Sequence, residues 1–176
     1  HDNETIWDIS QYKHATGTPL AERVRADNVA TSVILLAQGI PFIHAGTELL
    51  RSKSMDRNSY DSGDWYNEID WTGATSKWNQ GLPRPADNAG NVEQVKNIVL
   101  DVTAVQDQPS REAALANFKD LLTIRKSSLL FRLRNQAQVD QRLRFYNTGP
   151  FQIPGVVGMA IDGCTEPGFE PAEGAL

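Results

Sequence analysis

Residues 19–48 read PLAERVRADNVATSVILLAQGIPFIHAGTE, and they hold the clearest structural pattern of the chain. Apolar side chains, among them Val29 and Val33, recur at helical spacing, which predicts a helix over Pro19–Gly39 that becomes more buried towards its end. The apolar run Ile40–Ile43 follows at once and predicts a short buried strand. A helix that leads into a short apolar strand is the repeating unit of a parallel α/β fold, so we expect the α/β class.

The composition restricts the class of protein. Of the 176 residues, 40% are hydrophobic and 22% charged, which is too apolar for a disordered tail. No apolar stretch approaches the roughly 20 residues of a membrane-spanning helix, so no membrane span is expected. A net charge of -5 argues against nucleic acid as the main partner, because phosphate binding relies on a basic face. A single cysteine, Cys164, excludes an internal disulfide, and three scattered histidines make a zinc site unlikely on spacing alone, so no cofactor is indicated.

Beyond residue 46 the organisation changes. Residues 47–108 show no sustained periodicity, and their aromatic side chains favour an ordered functional loop over a disordered insertion. Residues 110–126 return to a helical pattern, with Ser110 placed to cap its start. Strands are predicted near residues 143–146 and 156–161, so we expect a domain change near residue 130.

Polar residues at two places could carry chemistry. The cluster His1-Asp2-Asn3 fits either a turn or a site at the end of a barrel strand. His44 and Glu48 fit either a site or a histidine and a carboxylate that bind the backbone and cap a turn. The residue types alone leave both pairs of alternatives open.

Residues 51–67 form the most informative loop. They interleave Asp and Asn, which hydrogen-bond hydroxyl groups, with aromatic rings that can stack on the apolar face of a sugar. This mixture suits a carbohydrate ligand. It is equally compatible with aromatic side chains that only anchor the loop.

Three segments occur in the order and spacing of one enzyme family: HDNETIWD at 1–8, GIPFIHAGTELLRSKS at 39–54 and NSYDSGDWYN at 58–67. They resemble the pullulanase and limit-dextrinase branch of the α-amylase superfamily, and a looser similarity continues through RKSSLLF at 125–131. The resemblance covers about three quarters of the chain. It implies a retaining hydrolase of α-1,6-glucosidic links, with α-glucans such as pullulan, amylopectin or limit dextrins as partners.

The resemblance also implies a fold. Residues 1–130 would be the C-terminal portion of a (β/α)8 TIM barrel, from the exit of strand 7 to the last helix. Residues 131–176 would begin an antiparallel β-domain. Because two strands of a barrel leave open edges, we expect residues 1–130 alone to be unstable.

The same resemblance assigns site residues. Asp2 corresponds to the third acidic residue of the family, which stabilises the transition state, and His1 to the sugar-binding histidine beside it. Asn58 and Tyr60 are expected to contact sugar, although related enzymes often carry Asp at the position of Asn58. No metal ligand is assigned, and calcium remains open for a full-length enzyme.

Retaining hydrolysis needs a nucleophile and a general acid, which the family takes from earlier strands. No corresponding motif occurs here, so we expect this chain alone to be inactive. The start at His1, without an initiator Met or signal peptide, is expected of a piece of a longer protein. A bacterial enzyme would then act outside the cell or at its surface. The alternatives are a non-catalytic carbohydrate-binding module and another superfamily member such as an isoamylase or α-amylase.

Overall fold

The computed structural model of the chain describes residues 3–163. No helix in this range is both long and apolar enough to cross a membrane. In chain order the helices and strands are α1 (Ile6–Gln11), α2 (Leu20–Leu36), α3 (Asp64–Asn67), α4 (Pro85–Asn88), α5 (Val92–Val99), α6 (Gln108–Ser127), α7 (Gln136–Arg142), β1 (Leu143–Tyr146) and β2 (Gly158–Ile161).

The core lies between the two longest helices, α2 and α6, and the loop that separates them in sequence. Helix α2 packs against both α1 and α6. The rings of Trp7 and Trp78 meet edge to face with their centroids 6.3 Å apart, an arrangement that aromatic pairs favour. Around them cluster the buried apolar residues Val24, Leu50, Met55, Val95, Val99, Ala104 and Ala114.

Both long helices were predicted from periodicity, but the start of α6 differs from the prediction. Asp107, not Ser110, is the N-cap residue, and its side chain accepts a hydrogen bond from the backbone nitrogen of Ser110 at 2.8 Å. Pro109 lies in the first turn, where its missing N–H costs no hydrogen bond. Both residues can cap a helix, and the proline moves the start towards Asp107.

A buried arginine fixes the end of α2. The guanidinium of Arg125 donates to the carbonyl oxygens of Leu35 at 2.8 Å and of Ala37 at 2.7 Å, and also to that of Gly39. These acceptors include carbonyls that a helix end leaves without intrahelical partners. Arg125 therefore ties α6 to the turn that follows α2.

The burial predicted for α2 holds for Val24 and Leu35 but is wrong for two other valines of the apolar stripe. Val29 and Val33 are 64% and 61% exposed, while the buried face carries Asp27, Thr31 and Leu35 among others. The buried face of α2 thus mixes polar and apolar side chains, while two of its valines face outward. No described element covers the apolar side, so its valines stay in solvent.

The predicted strand Ile40–Ile43 is also wrong. This segment is extended but forms no strand, and Ile40 and Phe42 are 97% and 87% exposed. A strand requires a hydrogen-bonded neighbour. Within residues 3–163 none lies beside this segment.

Residues 47–108 fold as an ordered loop around a polar segment at its centre. Residues 52–56, here called the buried segment, are all at most 2% exposed. Ser54 and Met55 take left-handed backbone conformations, with φ of 52° and 66°. Helix α5, with Val95 and Val99 in the core, lies in the same region and was missed by the sequence analysis.

The carboxylate of Asp8 satisfies the backbone of the buried segment. It accepts from the Ser52 hydroxyl at 2.6 Å and from the backbone nitrogens of Lys53 at 2.7 Å and Met55 at 3.3 Å. Burial raises the pKa of Asp8 from 3.8 to about 6, although these hydrogen bonds lower it. Helix α1 therefore holds the centre of the loop through one side chain.

The last part of the described chain forms a small antiparallel sheet. Strands β1 and β2 pair in the register Leu143↔Ile161 to Tyr146↔Gly158, close to the predicted ranges. The α/β class is confirmed, with an antiparallel pair of strands. The side chain of Asn147 closes the hairpin by donating to the carbonyls of Ile153 and Val156.

Candidate functional site

The two residues predicted at the centre of the site, His1 and Asp2, lie outside the described residues. Asn3 follows them directly. It lines an open depression together with Arg57, Asn58, Tyr60 and Asp87. The structure thus brings Asn58 and Tyr60, the two predicted sugar contacts, to the same depression as Asn3.

A buried carboxylate holds the loop that carries these residues. Asp56, fully buried, accepts from the backbone nitrogen of Asn58 at 3.0 Å and from the Ser62 hydroxyl at 2.6 Å. It also accepts from the side-chain amide of Asn88 at 3.1 Å. The loop is therefore fixed on both sides of Tyr60, whose ring is 91% exposed.

Asn88 connects this loop to α4. Its amide nitrogen donates to Asp56, and its amide oxygen accepts from the backbone nitrogen of Arg57 at 3.1 Å. Asn88 is only 2% exposed, and a buried amide with both ends hydrogen-bonded is costly to remove. The neighbouring Asp87 is thereby held beside Asn58, whose amide nitrogen donates to it at 3.3 Å.

The rim of the depression carries both signs of charge. Arg57 forms an ion pair with Glu4 at 3.3 Å, and Asp87 of α4 adds a carboxylate to the same depression. Amide, carboxylate, guanidinium and phenol groups in one open depression can donate and accept hydrogen bonds with several hydroxyl groups at once. Such a surface suits a polyhydroxylated ligand.

His44 lies apart from the depression and binds Arg51. The guanidinium nitrogen Nη1 of Arg51 lies 2.9 Å from His44 Nε2 and also donates to the carbonyl of Ala45 at 3.0 Å. Burial, followed by the charges of Arg51 and Lys53, lowers the pKa of His44. Because arginine only donates, Nε2 must be the acceptor, so the structural alternative describes His44 better than a catalytic one.

The aromatic side chains of the loop divide between anchoring and exposure. Trp78 and Tyr66 are 5% exposed, and Tyr66 donates to the carbonyl of Leu82 at 2.7 Å. Trp65 stacks on Tyr66, with ring centroids 3.6 Å apart. Tyr60 and Trp71 remain in solvent. The anchoring interpretation thus applies to Trp78 and Tyr66, whereas sugar stacking by the exposed rings stays a prediction.

Sequence reasoning missed the polar residues that build the site. Asp56 lies about 30 residues before the adjacent pair Asp87 and Asn88, and no local pattern links them. Across the described part of the chain, no three His, Cys, Asp or Glu side chains are grouped so that they could hold a metal ion.

Comparison with known proteins gives the family. Residues 73–175 match the family of pullulanase-type α-1,6-glucosidases, C-terminal, over more than half of the chain. The chain belongs to this family. The resemblance to pullulanases seen in the sequence is thereby confirmed.

Pullulanases from a plant and from bacteria are similar to this chain. The chloroplastic pullulanase 1 of Arabidopsis thaliana is 46% identical over 162 residues, which are 92% of this chain and 17% of that protein. The pullulanase of Klebsiella aerogenes is 41% identical over 92% of this chain and 15% of its own length. The crystal structure of Klebsiella pneumoniae pullulanase complexed with maltotriose matches with a TM-score of 0.86 and 40% identity, over 92% of this chain and 15% of that chain. This pullulanase-type chain therefore spans less than a fifth of the length of these relatives.

Proposed function

We propose that this chain is the C-terminal part of a starch-debranching glycoside hydrolase that cleaves α-1,6-glucosidic links in pullulan, amylopectin or limit dextrins with retention of configuration. One observation carries the proposal beyond the family. Asn3, which follows Asp2 directly, lines the same depression as Asn58 and Tyr60. One residue of the first motif thus lines the same depression as two residues of the third, and the polar groups of this depression suit a sugar.

The roles follow from the chemistry of the reaction. Retaining hydrolysis uses a nucleophilic carboxylate and a protonated acid about 5 Å apart, with positive charge developing on the sugar ring. The upstream polypeptide supplies these two groups. In this proposal Asp2 hydrogen-bonds sugar hydroxyls and stabilises the transition state, His1 contacts the same sugar, and Asn58 and Tyr60 bind it from the loop. The chain alone has no hydrolytic activity.

We also propose that residues 1–130 complete a (β/α)8 barrel. The exposed Val29 and Val33 on α2, with the exposed Ile40 and Phe42 after it, form an apolar surface that preceding strands and helices would cover. Residues 131–176 then begin the β-domain, of which β1 and β2 are the first hairpin. Since polymeric glucan does not cross a membrane, a bacterial enzyme of this kind acts outside the cell or at its surface.

The test uses the complete polypeptide that contains this chain, with release of reducing ends from pullulan as the assay. Asp2→Asn removes the charge at the proposed transition-state contact and should lower kcat about a thousandfold or more, as loss of one member of a catalytic unit does. Asp61→Asn is the matched control, because that carboxylate is 78% exposed and pairs only with Arg84 at the surface.

Two results would contradict the proposal. An Asp2→Asn variant with unchanged kcat would remove Asp2 from the mechanism. A wild-type protein that binds pullulan without cleaving it would favour the carbohydrate-binding module instead.

A further inference from the structure

We infer that Asp87 is a positioning residue that orients the side-chain amide of Asn58, so that the amide oxygen of Asn58 accepts a hydrogen bond from a hydroxyl group of the α-glucan. This inference rests on the proposed function and goes beyond it, because it adds a residue that determines which end of the Asn58 amide faces the sugar. The argument starts from the contact between the two side chains.

The chemistry of the pair fixes which way the amide faces. Asn58 Nδ2 lies 3.3 Å from Asp87 Oδ1. A carboxylate only accepts hydrogen bonds, so the nitrogen of the amide, and not its oxygen, must face Asp87. Without this partner the two ends of the amide could exchange by rotation about the terminal side-chain bond.

The opposite end of the amide remains available. Among residues 3–163, Asn58 Oδ1 has no hydrogen-bond partner, and Asn58 and Asp87 both line the depression. With the nitrogen engaged, Asn58 offers an acceptor to the ligand. A hydroxyl group, which both donates and accepts, can satisfy that oxygen.

Buried hydrogen bonds fix the backbone beneath Asn58 and Asp87, so their contact is not an incidental surface contact. Asn88 bonds both Asp56 and the backbone of Arg57, and it is 2% exposed. The backbone of Asn58 is fixed by Asp56 at 3.0 Å. Asp87 directly precedes Asn88, and the backbone of Asn58 is hydrogen-bonded to Asp56. Because Asn88 and Asp56 are bonded to each other, the fold sets the distance between Asp87 and Asn58.

This arrangement also predicts the effect of an acidic residue at position 58. Asn58→Asp keeps an acceptor oxygen but places a second carboxylate against Asp87. Like charges at this distance repel, and the side chains would turn apart. A carboxylate at position 58 therefore requires a different partner at position 87.

The experiment compares pullulan kinetics of the complete polypeptide with Asp87→Ala, Asn58→Ala and the double variant. Each single change should raise KM about two- to tenfold, the range of one hydrogen bond, and leave kcat within about twofold. Because Asp87 acts through Asn58, the double variant should be no worse than Asn58→Ala. Asp61→Ala, an exposed carboxylate outside the depression, should leave KM unchanged.

Exchanging the amide and the carboxylate between positions 58 and 87 gives a result that a purely structural role of Asp87 would not produce. Asn58→Asp should raise KM, and adding Asp87→Asn should restore it to within about twofold of wild type, since the new amide at position 87 can donate to the new carboxylate. If the increases in KM caused by Asp87→Ala and Asn58→Ala multiply in the double variant, the two residues act independently and the inference is overturned. Failure of the exchange to restore KM would overturn it as well.

Failure of the proposed function is seen separately, as a wild-type protein that does not cleave pullulan. In that case calorimetric titration with maltotriose measures the same variants by Kd. Non-additive effects of the alanine variants on Kd, together with recovery of Kd in the charge-exchange double variant, support the inference. The absence of these effects overturns it, and so does a wild-type protein that does not bind maltotriose.

Discussion

Asp27 makes the stability of this chain depend on pH. It lies in α2 with 2% exposure, and among the described residues its Oδ1 has no hydrogen-bond partner. Burial, and then the nearby charge of Asp8, raises the pKa of Asp27 from 3.8 to about 7. A carboxyl group with a raised pKa binds its proton more tightly in the folded state, so its stabilising effect is full below about pH 4 and is lost as pH rises through 7.

The size of the effect follows from the two pKa values. Each tenfold change in proton binding corresponds to about 1.4 kcal/mol, so the free energy of unfolding should fall by about 4 kcal/mol between pH 4 and pH 8. Asn in place of Asp27 cannot ionise. By pH 5 about a third of this loss has already occurred, so Asp27→Asn should narrow the difference in the free energy of unfolding between pH 5 and pH 8 by about 3 kcal/mol. The gap in Tm between the two pH values should narrow by about 5–10 °C for a cooperative unit of 150–250 residues, and by less for a larger one.

The assay is differential scanning calorimetry of the complete polypeptide at pH 5 and pH 8. Comparing each variant with wild type at the same pH cancels the transitions of other domains. Asp120→Asn, on the exposed side of α6, is the matched control and should keep the wild-type gap. If Asp27→Asn keeps that gap as well, Asp27 is not the group responsible.

Three further predictions concern stability. Arg125→Met removes the hydrogen bonds to the end of α2 and should lower the free energy of unfolding by about 3 kcal/mol, measured by urea unfolding; no change would mean that the end of α2 is held by other contacts. Gly46→Ala should cost about 1–2 kcal/mol, because Gly46 has a φ of 88° and an added Cβ would lie 2.9 Å from the Arg51 side chain; an unchanged Tm would contradict this. Asn147→Ala should speed hydrogen exchange in β1 and β2 without changing α6, and equal protection in the variant would show that the hairpin closes without this side chain.

The parts of the fold that depend on neighbours in sequence could be predicted. Helices α2 and α6 follow from apolar spacing, and the hairpin strands follow from short apolar runs beside turn residues. Helix α5 also had a local signal, because Val92, Val95 and Val99 are three and four residues apart. It was missed because residues 47–108 were treated as one stretch without sustained periodicity. The cap at Asp107 was misplaced by three residues because Ser110 is equally able to cap.

Other parts depend on contacts that no local pattern contains. Periodicity identifies the apolar side of α2 but not what covers it, so the burial of Val29 and Val33 was predicted wrongly. The apolar run Ile40–Ile43 fits a strand only when a neighbouring strand exists. At the site, the motifs identified Asn58 and Tyr60, whereas Asp87 becomes visible only when α4 is placed beside the loop.

The buried segment has a consequence for the order of folding. It cannot take its final conformation until both Asp8 and Asn88, 44 residues before Ser52 and 32 after Asp56, are in place. Both contacts are non-local, so the entropy of closing two long loops must be overcome before they stabilise the segment, whereas a helix forms from local contacts. On a ribosome, α2 can form as it emerges, but the turn that presents Tyr60 must wait for α4. The surface proposed to bind glucan is therefore among the last parts of this region to be completed during synthesis.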